Sequence, residues 1–380
     1  MKRDPREDLK KCKRILVKIG SRVLNTEKGL NYRVIERLCD DLSLLKDKGL
    51  EFGLVSSGAI AAGWATSGGL AKGMNLSRKQ ALAAIGQGRL IRAYNDAFRR
   101  YGYNVAQILI TREDLDDRTR YLNVRNTFTA LFELGIVPII NENDTVSVEE
   151  IQFTDNDMLS AMIVPIIEAQ ALIILTDTDG VLSVDPRLDS HATRTPEIRS
   201  LTRKHIADAS KDTGKMGRGG MASKLSAAYH VSLLGLPTVI ASAYHPQVVS
   251  SILDAGDIGT IMLPRQKKKL SQRGHWISFV TRPKGEIEVD AGAKKMIINA
   301  GKSLLPSGIV RAEGDFEAGD SVKILDTERN VIAIGLSNFS LREVIQIKGA
   351  KTKDIHHILG KETNEEIVHR NNMILEKEML

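Results

Sequence analysis

Cysteine is nearly absent from this 380-residue chain, which carries only Cys12 and Cys39. Two thiols make neither a disulfide framework nor a metal-ligand cluster, and both are expected to stay reduced in a cytosolic setting. No long clean apolar run occurs either. Leu159 to Leu175 comes nearest, but it contains Pro165, Glu168 and Gln170, and Thr176-Asp177-Thr178-Asp179 follows at once. A membrane span needs about 20 apolar residues, so this stretch reads as a buried helix entering a buried strand, and the protein as soluble. Met1 to Arg14 mixes Lys and Arg with Asp4, Glu7 and Asp8 and has no apolar centre, so it is not read as a signal peptide. Common nucleotide and hydrolase motifs are missing too. Gly301-Lys302-Ser303 imitates the end of a P-loop, but Met296 stands where its first glycine belongs, and it reads as a turn. No G-x-G-x-x-G follows a strand, and Val55-Ser56-Ser57-Gly58-Ala59 is not a nucleophile elbow. His356-His357 lacks an H-E-x-x-H context and reads as helix surface.

Hydrophobic residues make up 42% of the chain, enough for real cores, and the length suggests about two or three domains. Lys and Arg number 54 against 47 Asp and Glu. The resulting charge of +7 suits a protein that handles anions without saying which.

Short apolar runs alternate with amphipathic stretches through the first two thirds, the pattern of a mainly parallel sheet wrapped by helices. Strands are expected at Ile15 to Ile19, Phe52 to Val55, Val105 to Ile110, Ile136 to Ile140, Leu172 to Leu175 and Thr238 to Ala241. Helices are expected at Tyr32 to Lys48, Ala81 to Tyr101, Tyr121 to Leu134 and Met221 to Leu234. The character changes near Pro264. Residues 266–274 form a basic linker, and 275–360 read as a small, mostly β domain with strands at Trp276 to Val280, Glu286 to Val289, Gly308 to Arg311, Ser321 to Leu325 and Val331 to Leu336. One helix interrupts it at Ala291 to Ala300. Residues 361–380 read as a charged tail, part helical and part loose.

Ligands of such sheets gather beyond the carboxyl ends of the strands. Four strands end there in polar or glycine-rich loops: Gly20-Ser21, Ser56-Ser57-Gly58, Asn141 to Asp144, and Thr176-Asp177. One such loop is an ordinary turn; four together point to an active site. Lys18 lies inside an apolar strand, where an ammonium is costly unless it meets an anion, and Gly20 lets backbone approach a phosphoryl group. Glycines 214, 217, 219 and 220 precede a helix that carries Lys224 in its first turns, an arrangement able to cradle phosphate. Thr154-Asp155-Asn156-Asp157 and Asp144 concentrate carboxylates and amides that can grip an ammonium, orient lysines or hold magnesium.

Taken together, Val17 to Ser21, Ser56 to Gly63, Lys79 to Gln87, Pro138 to Asp144, Asp155 to Asp157, Leu175 to Asp177, Asp185 to Arg187 and Gly217 to Lys224 resemble the amino-acid kinase family in order and spacing over residues 13–265. The resemblance is to its glutamate-phosphorylating branch, and Leu304 to Ile309 with Phe316 to Ile324 resemble the PUA domain often appended to it. It implies an open αβα sandwich and ATP-dependent phosphorylation of the γ-carboxylate of L-glutamate, the first step of proline synthesis. It also implies magnesium with ATP, proline as feedback inhibitor, a homo-oligomer (dimer or tetramer) and a cytoplasmic location, with no metal site of the protein's own. By the family pattern Lys18 and Lys224 stabilise the transferring phosphoryl, and Asp157 holds them. Ser57, Asp144 and Asn156 bind glutamate. Thr176, Asp177 and the loop Arg218, Gly219, Gly220, Met221, Ala222, Ser223 line the nucleotide with Lys18 and Lys224. The chain departs from the pattern at Arg218 and Ser223, where threonine is usual, at Thr154 for glycine, and at Leu182 for tyrosine.

Two other readings compete. A PUA domain with a basic linker fits an RNA-binding or RNA-modifying protein, although aromatics for base stacking are few, at 4% of the chain. Another enzyme of the same fold would act on acetylglutamate, carbamate or a nucleoside monophosphate. Asn141-Glu142-Asn143-Asp144 favours free glutamate. Every version of the kinase reading requires residues 18 and 224 to converge on one anion.

Overall fold

The computed structural model describes residues 4–26, 29–65, 75–147, 155–183, 191–211, 220–265, 269–361 and 364–379. The chain divides into two compact units, Met1–Lys267 and Lys268–Leu380.

Eight strands of the first unit form one sheet: β1 (Arg14–Ile19), β2 (Glu51–Ser56), β3 (Val105–Ile110), β4 (Val137–Glu142), β5 (Leu172–Thr176), β6 (Glu197–Ile198), β7 (Thr238–Ser242) and β8 (Thr260–Met262). Their order is β3-β4-β2-β1-β5-β7-β8-β6. All neighbours run parallel except β7 and β8. β1, β2 and β5 are buried nearly throughout, as central strands covered on both faces must be. Their carboxyl ends therefore lie side by side, and the turns after Ile19, Ser56 and Thr176 meet at one edge of the sheet.

The helices that cover the sheet start where side chains satisfy their first N–H groups. In α1 (Tyr32–Asp47) the Asn31 side chain accepts from Val34 N. α2 (Ala59–Trp64) leaves β2 through Gly58, whose φ of 107° is open to glycine at little cost. α3 (Leu76–Arg99) begins five residues before the apolar spacing announces it. Asn75 caps it over a polar first turn, Ser77-Arg78-Lys79, which carries no hydrophobic period to read. α4 (Arg118–Glu133) is capped by Asp117. α5 (Asn156–Ile166) opens on Asp155, which accepts from both Asp157 N and Met158 N. α6 (Met221–Leu233) opens on Gly220 without a side-chain cap. α2 and α3 cross closely: a Cβ on Gly63 would overlap the Leu82 carbonyl, and one on Gly86 the Ala59 carbonyl. Among the described residues, no helix is long and apolar enough to cross a membrane.

In the second unit, β9 (Gly285–Val289), β10 (Ile309–Gly314), β11 (Ser321–Leu325), β12 (Val331–Leu336) and β13 (Met373–Leu375) form a sheet in the order β10-β9-β11-β12-β13. Only β9 and β11 pair in parallel. α7 (Ala291–Ala300) ends on Gly301 at φ 59°, so Gly301-Lys302-Ser303 closes a helix rather than a phosphate loop. α8 (Leu341–Ile347) has a capping box between Ser340 and Glu343.

Two expectations need correction here. Trp276–Val280 is a π-helical segment continuing Gln272–His275, not a strand. The hydroxyls of Ser278 and of Thr281, which follows the segment, donate back to the carbonyls of Gly274 and Ile277, and a five-residue run with four apolar members does not distinguish buried helix from buried strand. The tail has its helical part at Glu376–Met379, but its described remainder is not loose. Ile367, Val368, Met373 and Leu375 are buried, Val368 pairs with Leu304, and β13 extends the sheet along β12. Those few apolar residues sit among charged ones that stay in water, so composition hides the strand.

Candidate active site

The three central strand ends surround a cleft of about 480 Å³. Lys18 and Lys224 come from different elements, β1 and α6, yet both ammonium groups end on the carboxylate of Asp157 in the first turn of α5. Lys18 Nζ lies 2.5 Å from Asp157 Oδ1, and Lys224 Nζ lies 3.1 Å from Oδ2. Lys18 is 3% exposed, Lys224 5% and Asp157 not at all. The triad carries a net positive charge in a dry place. Burial lowers the pKa of Lys18, and the neighbouring Lys224 adds to that, while Asp157 opposes it. Both lysines line the cleft, whereas Asp157 lies beneath them. The two ammonium groups present positive charge to a ligand anion in the cleft.

Gly20 lies at this end: its N–H donates to the Leu175 carbonyl at 2.9 Å, and a Cβ would stand 3.3 Å from that carbonyl oxygen. At the mouth, Thr176 Oγ1 donates to Asp177 Oδ1 at 3.0 Å, and Arg22 reaches the other Asp177 oxygen at 3.7 Å. α6 approaches with its first N–H groups uncapped by a side chain, so the positive end of its dipole adds to Lys224. Ser223 donates to Asp155 Oδ2, which ties the start of α6 to the cap of α5.

The other end of the cleft is rich in amides. Asn156 Nδ2 donates to Ser57 Oγ at 2.8 Å and to Asn141 Oδ1 at 3.0 Å. Asn141 Nδ2 in turn donates to Gln87 Oε1 at 2.9 Å. Asp144 lines the same end. Among the described hydrogen bonds Ser57 Oγ is an acceptor.

Of the residues singled out in the sequence, Lys18, Ser57, Asp144, Asn156, Thr176, Asp177 and Lys224 line this one cleft. Gly220, Met221, Ala222 and Ser223 form the cap and first turn of α6 rather than the cleft wall. Arg218, Gly219, Thr154 and the stretch Asp185 to Arg187 lie outside the described residues. Leu182 makes an isolated bridge with Arg194. Reading by motif named the loop that holds Asp155 without giving that residue a role of its own, and it passed over Arg22, Asn141 and Gln87; Asn141 and Gln87 stand inside quoted motifs and were within reach.

Residues 13–242 match the family model described as Amino acid kinase family, and residues 285–359 match that of the PUA domain. The chain belongs to the amino acid kinase family. Within the family it is similar to the glutamate 5-kinase of Pelobacter propionicus, 43% identical over 371 residues, which is 97% of this chain and 99% of that one. The glutamate 5-kinase of Syntrophus aciditrophicus is 45% identical over 365 residues, covering 96% and 94% respectively. Among solved structures, a UMP kinase from Bacillus anthracis is similar at 15% identity and a TM-score of 0.46, over 68% of this chain and 99% of that one.

Proposed function

We propose that this amino acid kinase transfers the γ-phosphoryl group of ATP to the γ-carboxylate of L-glutamate, giving L-glutamyl 5-phosphate and opening proline synthesis. The observation that carries the reading is the sharing of buried Asp157 by Lys18 and Lys224 at one end of a cleft whose other end offers Ser57, Asn156 and Asp144. Near-full-length similarity to two glutamate 5-kinases supports the choice of acceptor.

The chemistry follows from charge. An oxygen of the γ-carboxylate attacks the γ-phosphorus, the bond to the β–γ bridging oxygen breaks, and ADP leaves with that electron pair. A carboxylate is already deprotonated, so no general base is required. The barrier is repulsion between an anionic acceptor and a polyanionic donor, and fixed cations with in-line positioning are what lower it. Lys18 and Lys224 take up phosphoryl charge, and Asp157 fixes both ammonium groups before the substrate arrives. Ser57 donates to a glutamate oxygen, Asn156 holds Ser57, and Asp144 accepts the α-ammonium. Thr176, Asp177 and the start of α6, with the Arg218 to Ser223 loop, serve the nucleotide.

Magnesium fits as a passenger on the nucleotide. An ion carried by ATP would be held mainly by phosphate oxygens and water. When bound it neutralises charge on the β- and γ-phosphates. Proline as a feedback inhibitor and a homo-oligomeric enzyme belong to the same proposal. The alternative RNA-directed reading rests on the second unit, where Lys284, Lys294, Arg311, Lys323 and Arg329 are paired with carboxylates of the same unit.

The test is a hydroxamate assay with ATP, magnesium and hydroxylamine, run with and without proline and with acetylglutamate, carbamate and nucleoside monophosphates as competitors for the role. γ-Glutamyl hydroxamate formed only with glutamate supports the reading. ATP turnover with another acceptor instead of glutamate overturns it.

A further inference from the structure

α3 carries a buried polar pair whose role the chemistry above leaves unused. Tyr94 and Gln87 lie seven residues apart, about two helical turns, and therefore on one face. That face looks at the ends of β2 and β4. The Tyr94 hydroxyl, fully buried, lies 2.8 Å from Ser56 Oγ, and Ser56 Oγ donates to the Ser57 carbonyl at 3.1 Å. Gln87 Oε1 accepts from Asn141 Nδ2, which turns Asn141 Oδ1 toward Asn156 Nδ2 and leaves Asn156 donating to Ser57 Oγ. Two hydrogen-bonded chains thus leave one helix and converge on one residue, Ser57, from its backbone and from its side chain.

The helix itself is held in place. Gly86 brings its backbone against the Ala59 carbonyl, and Gly63 brings α2 against the Leu82 carbonyl. α2 begins one residue after Gly58, directly beyond Ser57. The stretch Lys79 to Gln87, singled out in the sequence without an assigned role, therefore supplies a close contact at Gly86 and an amide at Gln87 for the same end of the cleft. No comparable contact runs from Gln87 or Tyr94 to Lys18, Lys224 or Asp157 among the described hydrogen bonds.

We propose that Tyr94 and Gln87 are positioning residues for the amino-acid acceptor: they set the orientation of Ser57 and Asn156 and hence the affinity for glutamate, leaving the nucleotide end unchanged. The proposal rests on the glutamate reading above. Loss of the Tyr94 hydroxyl leaves Ser56 one partner short, and loss of the Gln87 amide frees Asn141 to rotate. Each step removes about one buried hydrogen bond from the acceptor's support, an effect on the order of five- to tenfold in affinity. Because both chains end on Ser57, their effects should not multiply.

The experiment measures initial rates for wild type, Tyr94→Phe, Gln87→Met and the double variant, varying glutamate at saturating ATP and ATP at saturating glutamate. Circular dichroism and thermal melts accompany each. The expected result is a glutamate KM raised about five- to tenfold in each single variant, an ATP KM within about twofold of wild type, and a double variant below the product of the two. Unchanged glutamate KM in both single variants overturns the proposal while leaving the kinase reading intact. So does a rise of both KM values together, which is what general loosening of the fold would give. A folded wild type without glutamate turnover overturns the acceptor assignment and this inference with it.

Discussion

Asp157→Asn separates charge from shape at the centre of the site. The carboxylate lies 2.5 Å from one ammonium and 3.1 Å from the other. At an effective dielectric near 20, each attraction is about 5–7 kcal/mol before desolvation is counted. Burying the charges takes back most of that, and breaking a buried pair by removing one partner costs about 3–5 kcal/mol. Two lysines lose their partner here, but the total should not double. Lys18 is already pushed toward losing its proton, and without Asp157 it can shed that charge instead of leaving it unpaired. We therefore expect the first unit of Asp157→Asn to lose about 3–5 kcal/mol in urea denaturation near neutral pH. A non-hydrolysable ATP analogue should stabilise the variant more than wild type, because phosphate oxygens restore the missing negative charge. Turnover should fall even though nucleotide still binds. A variant within about 0.5 kcal/mol of wild type, indifferent to the analogue, would refute the reasoning.

Three further outcomes follow from single features. Lys18 has a folded pKa below its usual 10.5; between that lowered value and 10.5 the unfolded chain binds the extra proton, so stability rises with pH while the ammonium needed for turnover is lost. The alkaline limb of kcat/KM in wild type should thus fall below 10.5, and a limb at or above it would contradict the burial argument. Gly86→Ala should destabilise by about 2 kcal/mol or more, or fail to fold, whereas Gly88→Ala on the same helix, with open space around it, should be neutral or stabilising by up to about 1 kcal/mol in thermal melts; equal effects at the two positions would sink the close-crossing account. Burial in the second unit holds His275 at a pKa of about 3. The unfolded chain binds that proton from about 6.5 downward, so stability of this unit should fall by about 1.4 kcal/mol per pH unit below 6.5. His275→Gln should flatten the slope, and an unchanged slope would disprove it.

Much of the first unit was legible because a buried parallel strand is a local signal. Ile15 to Ile19 and Phe52 to Val55 are short apolar runs with glycine or serine after them, and the structure lengthens the first by one residue at its start and the second by one at each end. Lys18 stood out for the same local reason, a cation in an apolar strand. The residues around Asp157 left orienting lysines as one of several open uses and did not say which lysines. Asp157 on α5 meets Lys224 across 67 positions of sequence and Lys18 on β1, and nothing in these neighbourhoods encodes that meeting. Tyr94 is hidden more thoroughly: on a helix that packs Phe98, Leu90 and Ala97 into the core, one further aromatic reads as packing, and only the partner at Ser56 reveals its hydroxyl as a support. The misread Trp276–Val280 and the tail beyond residue 360 share a cause. Four apolar residues around a serine, or a few in a charged stretch, carry too little periodicity to choose a structure, and tertiary contacts choose it instead.

The account stands most directly on Lys224. Glutamate-dependent ADP release by Lys224→Ala, measured at saturating ATP and glutamate on protein shown by circular dichroism to be folded, should be lower than wild type by on the order of 10²-fold or more. Turnover close to wild type would mean that the ammonium resting on Asp157 takes no part in phosphoryl transfer.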